Sequence, residues 1–232
     1  MNEQLIRANL GVIWFRVHLQ GEPEHVAYTQ PGANAIEASF AIIQALRDLE
    51  EQWNKPEHRH PRFCDHHHPI NLNVGKIAGG DWASSVPAWC SFDCRIGIFP
   101  GTNAKHAAKE IEDCIRAVTA QNAFLKNNPP KVEFNGFLAE GYVLEEGTDA
   151  EKTLAKAHKE SLQKNLTENV FTGYLDARVF MLYDDCPCLV YGPISEGTHG
   201  FDERVSLASI KNVTGTIALF IAEWCGLEAC HD

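Results

Sequence analysis

One histidine stands in a glycine-rich loop and is the residue best suited to bind a metal. His199 lies within residues 192–203, shortly after the apolar run Cys188–Tyr191. A loop at the end of a buried strand can present an imidazole to a site, and the nearby Glu196 and Glu203 could orient the ring. One histidine does not hold a catalytic zinc ion, because zinc takes about three or four protein ligands. From these residues alone, a metal ligand and an ordinary loop histidine both stay open for His199.

Two further charged motifs have the composition of a carboxylate-binding site. Asp176 and Arg178 place an acid and a base close together, which is typical of a structural ion pair or of a substrate contact. Arg95 lies inside the apolar run Phe92–Ile96, where an unpaired charge would be costly to bury. Its partner is either Asp93 or a bound carboxylate, and a planar guanidinium suits a carboxylate well.

The other histidines favour simpler interpretations. His25 follows the turn Gly21–Glu24, where it is either a solvated turn residue or a functional one. The run His66-His67-His68 lies in a polar loop. Because adjacent side chains rarely converge on one ion, this run is more typical of a solvated loop than of a metal site.

Composition bounds the class of protein. The chain has 232 residues, 44% of them hydrophobic, which suits one large domain or two small ones. The net charge of -11 argues against nucleic acid or an anionic membrane surface as a partner. The first residues show no secretory signal, and no run has the length of a membrane span. Five of the eight cysteines, among them Cys90 and Cys94, lie in apolar runs, so we expect reduced thiols and a cytoplasmic location.

The first part of the chain must position Arg95 and His25. Alternating apolar residues predict strands, and apolar residues spaced by three and four predict helices. The predicted elements are a strand at Leu10–Gln20, a helix at Asn34–Trp53, strands at Asn71–Ile77 and Trp89–Phe99, a helix at Ala104–Val118 and a strand at Lys131–Leu138. This β-α-β-β-α-β order over residues 8–139 predicts an α+β, ferredoxin-like sandwich, in which two helices cover one face of an antiparallel sheet.

The second part resembles α/β units. The predicted elements are a helix at Asp149–Gln163, a short strand at Phe171–Gly173, a segment at Asp176–Leu182, a strand at Pro187–Tyr191 and a helix at Leu207–Cys225. Only two strands are visible here, and two strands do not make a sheet that covers its own faces. The sequence therefore predicts that residues 140–232 form part of an incomplete α/β domain.

Spaced motifs connect these residues to a known family. Together they resemble the co-catalytic zinc metallopeptidases and deacylases, which include acetylornithine deacetylase, succinyl-diaminopimelate desuccinylase, aminoacylase and glutamate carboxypeptidase. In family order, the matching pieces are Gly21-x-Pro23-x-His25-Val26-Ala27, Asn34-Ala35-Ile36, Asn73-Val74-Gly75, Gly79-Gly80-Asp81-Trp82-Ala83-Ser84-Ser85-Val86-Pro87, Arg95 with Pro100-Gly101, Gly173-x-x-Asp176-Ala177-Arg178, and Gly192-Pro193 with His199-Gly200-x-x-Glu203-Arg204-Val205.

The resemblance implies a fold, a partner and a reaction. Residues 8–139 resemble the family's lid, which pairs in a homodimer through a helix and an edge strand. Residues 140–232 resemble the segment that returns to the zinc-binding catalytic domain. The implied reaction is the hydrolysis of an N-acyl amino acid, a peptide or a related small carboxylate by a water held between two zinc ions, and the motif around Gly79–Pro87 resembles most the acetylornithine type.

The resemblance also implies roles for single residues. His199 matches the last metal ligand. His25 matches the lid histidine that stabilises the oxyanion in the partner's site, and Arg95 the arginine that binds the substrate carboxylate. Ser84 stands where many members have asparagine, and Tyr174 replaces a small residue before Asp-x-Arg. With Asp176 and Arg178, we expect these two residues to contact substrate.

One departure from the family governs the functional prediction. The family's His-x-Asp motif, bridging aspartate and Glu-Glu pair precede the lid, and no such motifs precede the lid-like segment here. Glu50-Glu51 lies inside the first helix, and Glu145-Glu146 follows the lid. We therefore expect this chain to be the C-terminal portion of a zinc-dependent amidohydrolase, inactive alone. The alternative is a stand-alone dimerisation or binding module, or half of a split enzyme.

Overall fold

A computed structural model of the chain describes residues 1–28 and 34–228. The strands are β1 (Leu5–Asn9), β2 (Gly11–Gln20), β3 (Leu72–Gly79), β4 (Trp89–Ile98), β5 (Lys131–Glu133), β6 (Leu138–Ala139), β7 (Tyr142–Val143), β8 (Glu168–Phe171), β9 (Ser195–Glu196) and β10 (Arg204–Val205). The helices are α1 (Ala35–Trp53), α2 (Ala104–Gln121), α3 (Ala123–Asn127), α4 (Asp149–Leu162), α5 (Ala177–Tyr183) and α6 (Leu207–Cys225). None of the described helices combines the length and apolar character needed to cross a membrane.

The chain folds as two units. The large-sheet unit comprises Leu10–Gly141 and Thr172–Tyr174. The terminal unit comprises Met1–Asn9, Tyr142–Phe171 and Leu175–Asp232. The architecture is α+β. The predicted roles of residues 8–139 as a lid and 140–232 as a returning catalytic segment stay predictions, because packing defines the units and does not reveal their roles.

The large-sheet unit is built on an antiparallel sheet with strand order β3-β4-β2-β5, and β6 also pairs with β2. Odd-numbered residues of β2, such as Phe15 and Val17, are buried, and so are alternate residues of β4, such as Phe92 and Ile96. Helices α1 and α2 contact each other and these strands. Burial of each such side chain stabilises the fold by about 1.5–3 kcal/mol, which explains why the alternation in the sequence predicted both strands correctly.

The helices begin where the sequence provides a capping residue. The Asn34 side chain accepts hydrogen bonds from the backbone N–H groups of Ile36 and Glu37, and Asn103 caps α2 in the same way. These bonds satisfy donors that have no partner inside the helix. The predicted helices at Asn34–Trp53 and Ala104–Val118 are confirmed, although α2 continues to Gln121.

The prediction of one continuous strand at Lys131–Leu138 is wrong. The segment is divided into β5 and β6, which pair with opposite ends of β2. The backbone at Gly136 lies against the Trp14 indole so closely that a Cβ there would come within 2.7 Å of the ring. The backbone bends at Gly136, close against the indole, and the strand is interrupted there.

The terminal unit contains a sheet that the sequence did not reveal. β1 lies between β7, to which it is antiparallel, and β8, to which it is parallel. β1 and β7 were missed, and the predicted strand at Phe171–Gly173 is shifted to Glu168–Phe171. The strand predicted at Pro187–Tyr191 is absent from the described ladders. Pro187 has no N–H, and the Cys188 N–H points to the Met181 sulfur at 3.1 Å, so this run makes only isolated backbone bonds.

Candidate functional site

The large sheet has an open face, defined by Trp14, Arg16 and His18 of β2 and by Asp93 and Arg95 of β4. These side chains alternate with the buried ones and are partly or fully exposed. The antiparallel register places Trp14 opposite Arg95 and Arg16 opposite Asp93. The open face therefore presents two arginines on adjacent strands, diagonal to each other, and the groups that each one contacts distinguish them.

Arg95 and Arg16 are held in different ways. The Arg16 guanidinium donates to both carboxylate oxygens of Asp93, at 2.5 and 2.8 Å. Arg95 donates only to backbone carbonyls, of Asn71 at 3.4 Å and Thr172 at 3.1 Å. Among the described residues no carboxylate pairs with Arg95. Of the two partners that the sequence left open, Asp93 is thus taken by Arg16, and a bound carboxylate remains.

The surroundings of Arg95 favour an incoming anion. Partial burial lowers the pKa of its guanidinium below the ordinary value, which means that the charged form is incompletely solvated. A carboxylate at this position would gain charge-assisted hydrogen bonds and restore the solvation that the guanidinium lacks.

Three aromatic side chains cluster on the same unit. Tyr174 stacks on Phe137 with ring centroids 4.4 Å apart, and Phe137 meets Trp14 edge to face at 5.1 Å. The backbone N–H of Trp14 also donates to the backbone carbonyl of Phe137 at 2.8 Å. Tyr174 was a predicted site residue, whereas sequence reasoning missed Trp14 and Phe137 as candidates. The only signal was a tryptophan at an outward strand position, and that alone does not identify a site.

His25 and Ser84 lie on two neighbouring loops of this unit. The Val26 N–H donates to the Ser84 carbonyl at 3.2 Å, and His25 forms an antiparallel bridge with Ser85. His25 is exposed, and its Nδ1 accepts a hydrogen bond from the Ala27 N–H at 3.1 Å. This hydrogen bond engages Nδ1 of the ring.

The remaining predicted site residues belong to the terminal unit. Asp176 precedes α5, is exposed and makes no capping bond with its side chain. Arg178 is buried, donates to the Tyr183 hydroxyl at 2.9 Å and lies over that ring at 5.3 Å. The residues therefore differ in availability, since Asp176 can meet a ligand directly while Arg178 already has an aromatic partner.

His199 lies on the exposed loop between β9 and β10. Its φ of 64° is in the left-handed region, which non-glycine residues adopt rarely. Glu203 accepts a hydrogen bond from the backbone N–H of His199 at 3.1 Å, and Glu196 pairs with Arg204. These two contacts shape the loop and do not involve the imidazole, contrary to the orienting role that the sequence indicated for the two glutamates.

The described residues contain no group of three or more His, Cys, Asp or Glu side chains arranged to hold a metal ion. His199 and the ligand types around it therefore do not by themselves fit the requirements of zinc.

The histidine run of the polar loop has a structural contact. His68 lies 3.1 Å from Glu50 and 3.2 Å from the Asn54 amide, which attaches the loop to α1.

The predicted site residues thus divide between the units. The large-sheet unit carries His25, Ser84, Arg95 and Tyr174. The terminal unit carries Asp176, Arg178 and His199. The roles of all seven stay predictions.

Comparisons with known proteins identify the family of the chain. Residues 7–123 match the family model of the peptidase dimerisation domain. An N-formyl-4-amino-5-aminomethyl-2-methylpyrimidine deformylase from Halalkalibacterium halodurans is 26% identical over 217 residues, which cover 88% of this chain and 49% of the relative. Acetylornithine deacetylase from Proteus mirabilis is 26% identical over 226 residues, which cover 97% of this chain and 54% of the relative.

Solved structures share the fold at low identity. Human carnosine dipeptidase 1 has a TM-score of 0.72 at 12% identity, and the match covers 97% of this chain and 58% of the dipeptidase. A tripeptidase from Staphylococcus aureus has a TM-score of 0.71 at 14% identity, with 95% and 53% covered. The chain spans about half the length of the curated relatives it matches. Because the dimerisation-domain model covers just over half of the 232 residues, this chain belongs to the family of metallopeptidases and deacylases that carry the peptidase dimerisation domain.

Proposed function

We propose that the chain is part of a zinc-dependent amidohydrolase that removes the acyl group from N-acyl amino acids or related small carboxylates. The observation that carries this proposal is Arg95, a partly desolvated guanidinium on an open sheet face, whose partners among the described residues are backbone carbonyls. Two relatives are by name a deformylase and a deacetylase, and both names describe removal of an acyl group. We call Arg95 in this role the carboxylate clamp, because its guanidinium would bind the substrate carboxylate. A carboxylate clamp beside an amide-hydrolysing centre suits that chemistry.

Each predicted residue has a part in this proposal. Arg95 binds the substrate carboxylate, and His25 donates from the lid to the carbonyl oxygen as negative charge develops in the partner subunit's site. Ser84 and Tyr174, with Asp176 and Arg178 of the terminal unit, contact the substrate. His199 is a metal ligand that this chain contributes. His25 suits its role because Nδ1 is occupied by the Ala27 N–H, which leaves Nε2 for a ligand.

Zinc enters the proposal through the family resemblance alone. The described residues do not supply the ligand set, so the two ions belong to the longer enzyme and no step is assigned to them here. We expect the 232-residue chain to be inactive by itself. The test is incubation of the pure chain with zinc and a panel of N-acetyl and N-formyl amino acids, followed by detection of free amine. Zinc-dependent turnover, abolished by chelation, would contradict the expected inactivity.

The role of Arg95 has a separate test in ligand binding. We expect Arg95→Met to weaken the binding of N-acetylglycine by about 10- to 100-fold, because charge-assisted hydrogen bonds contribute about 1.5–3 kcal/mol. Binding is measured by ligand-observed NMR on the pure chain. Arg16→Met is the matched control, since Arg16 lies on the same face but is already paired with Asp93. Equal loss in both variants would show that general positive charge, and not a clamp at Arg95, attracts the ligand.

A homodimer through a ferredoxin-like lid in a cytoplasmic enzyme completes the proposal. The strand β3 is at the edge of the sheet, and five of its eight residues are exposed, Ile77 by 51%. On α1, Phe40 is exposed by 58%. An exposed edge strand and an exposed phenylalanine on α1 favour pairing with a second copy, because open edges are otherwise liable to aggregate.

Sedimentation velocity at tens of micromolar tests the dimer. We expect Phe40→Glu to shift the chain toward monomer, because a charge would be buried at the contact. Ile221→Glu is the control, since Ile221 is an exposed apolar residue on helix α6 of the terminal unit. A monomeric wild-type chain at this concentration would refute pairing through the lid.

A further inference from the structure

The aromatic cluster beside Arg95 forms a surface that the carboxylate clamp alone does not explain. We propose that Trp14, Phe137 and Tyr174 form a ring-binding wall, which selects carboxylates carrying a planar aromatic or heteroaromatic group. This inference deepens the proposed function and rests on the role of Arg95 there. All four residues belong to the large-sheet unit.

The register places the wall next to the clamp. Trp14 and Arg95 are direct cross-strand partners on β2 and β4, and both side chains lie on the open face. Side chains paired in this way have Cβ atoms about 4.5–5.5 Å apart. A small molecule whose carboxylate reaches the guanidinium therefore extends over the indole or its aromatic neighbours.

The rings are held in place before any ligand arrives. Phe137 contacts Trp14 edge to face and Tyr174 by stacking, and the backbone N–H of Trp14 donates to the backbone carbonyl of Phe137, which ties the two segments together. The backbone of Gly136 packs against the indole, where a Cβ would come within 2.7 Å. Fixed rings lose little conformational freedom on binding, so stacking energy is available to the ligand.

The wall also remains open to a ligand. Trp14 is 44% exposed and Phe137 41% exposed. Scattered apolar residues on a surface need no explanation, but three mutually fixed rings next to a guanidinium form a contiguous site. Aromatic side chains favour offset-stacked or edge-to-face partners, which a planar ring provides and an aliphatic chain does not.

The probe ligands are N-benzoylglycine and N-acetylglycine, which share the carboxylate and amide and differ in the ring. Saturation-transfer NMR on the intact 232-residue chain measures both the affinity and the protons that contact the protein. We expect N-benzoylglycine to bind about 3- to 10-fold more tightly, with the strongest transfer at its ring protons. Trp14→Leu and Phe137→Leu should each remove most of this preference while retaining the binding of N-acetylglycine.

Trp89→Leu is the matched control. Trp89 lies on the same face of β4 and is 40% exposed, but it is six residues from Arg95, or about 20 Å along the strand. Circular dichroism establishes that each variant is folded. The saturation-transfer pattern of the wild-type chain is measured without any substitution, so it does not depend on the folding of a variant.

The outcomes separate this inference from the proposed function. Equal affinities for the two ligands, both lost in Arg95→Met, would overturn the wall and leave the carboxylate clamp intact. A ring preference that survives Trp14→Leu and Phe137→Leu, or is lost equally in Trp89→Leu, would also overturn it. Absence of binding by both ligands up to millimolar concentration would overturn the subsite, while the proposed hydrolysis is judged by its own assay.

Discussion

The buried ion cluster around Arg7 is the feature whose removal has the most predictable consequence. Arg7 lies in the central strand β1 of the terminal unit and is 1% exposed. It donates to both carboxylate oxygens of Glu151, at 3.0 and 2.5 Å, and to both of Glu168, at 2.9 and 3.0 Å. The Leu144 and Glu145 carbonyls accept further bonds. One side chain thus connects β1 with α4, β8 and the segment after β7.

The expected loss of stability in Arg7→Met follows from the carboxylates that remain without their partner after the substitution. Removing one partner of a buried ion pair costs about 3–5 kcal/mol, mainly because the other charge remains buried and unpaired. Glu168 is 43% exposed and can be hydrated, whereas Glu151 is 18% exposed and cannot be fully hydrated. We therefore expect the lower end of that range, about 3 kcal/mol. The double variant Arg7→Met/Glu151→Gln should recover part of the loss, with a coupling of about 0.5–3 kcal/mol.

Hydrogen exchange with peptide mass spectrometry measures this loss where it occurs. Peptides from β1, α4 and β8 should exchange faster in Arg7→Met, while peptides from β2 and β4 of the large-sheet unit provide an internal reference. Arg16→Met is the control variant, because its pair with Asp93 lies on the open face. We expect a much smaller change there, since exposed ion pairs are screened by water.

The pH dependence gives the prediction a second, independent check. Hydrogen bonds from Arg7 lower the pKa of Glu151 below its ordinary value of 4.5. The pair's stabilisation is therefore fully present above pH 4.5 and is lost as the pH falls through the lower folded-state pKa. Wild type and Arg7→Met should converge in stability as the medium becomes more acidic. A difference that is below about 1 kcal/mol at neutral pH, or that grows on acidification, would refute the reasoning.

Two further predictions concern the large-sheet unit. Glu50→Ala should lower the free energy of unfolding by about 1.5–3 kcal/mol in urea denaturation, because the carboxylate accepts the buried Leu72 N–H at 2.7 Å and contacts His68. A change below about 0.5 kcal/mol would show that water replaces the carboxylate. Burial raises the pKa of the Cys94 thiol to about 12, so iodoacetamide at pH 8 should label exposed Cys64 in the native chain and Cys94 only after unfolding. Equal native labelling rates, read by peptide mass spectrometry, would contradict the buried position of Cys94.

The sequence predicted strands and helices correctly where a single periodic pattern of apolar residues corresponds to one buried face. The strand at Leu10–Gln20 and the helix at Asn34–Trp53 follow directly from alternation and from spacing by three and four. The helix start at Asn34 also agrees with its capping bonds. These patterns are local, because burial on one side requires only that neighbouring residues in the chain alternate or repeat.

The same rules failed for β1. Its five residues are all buried, yet Arg7 and Asn9 are polar, so the strand does not show an apolar run. Arg7 is tolerated only because Glu151 and Glu168 arrive from distant parts of the chain. The strand predicted at Pro187–Tyr191 failed in the opposite sense: the run is apolar, but Pro187 has no N–H and the Cys188 N–H points to the Met181 sulfur, and the run is in no described ladder.

By itself, the sequence determined the family, the residue types available for chemistry and the main strands and helices of the large-sheet unit, because these depend on motifs and local periodicity. Only the tertiary structure decided which partner each charge has. It assigned Asp93 to Arg16, leaving Arg95 with backbone carbonyls, and it assembled Trp14, Phe137 and Tyr174 beside it. Such choices depend on strand register and on contacts between residues far apart in the chain, and no local pattern encodes them.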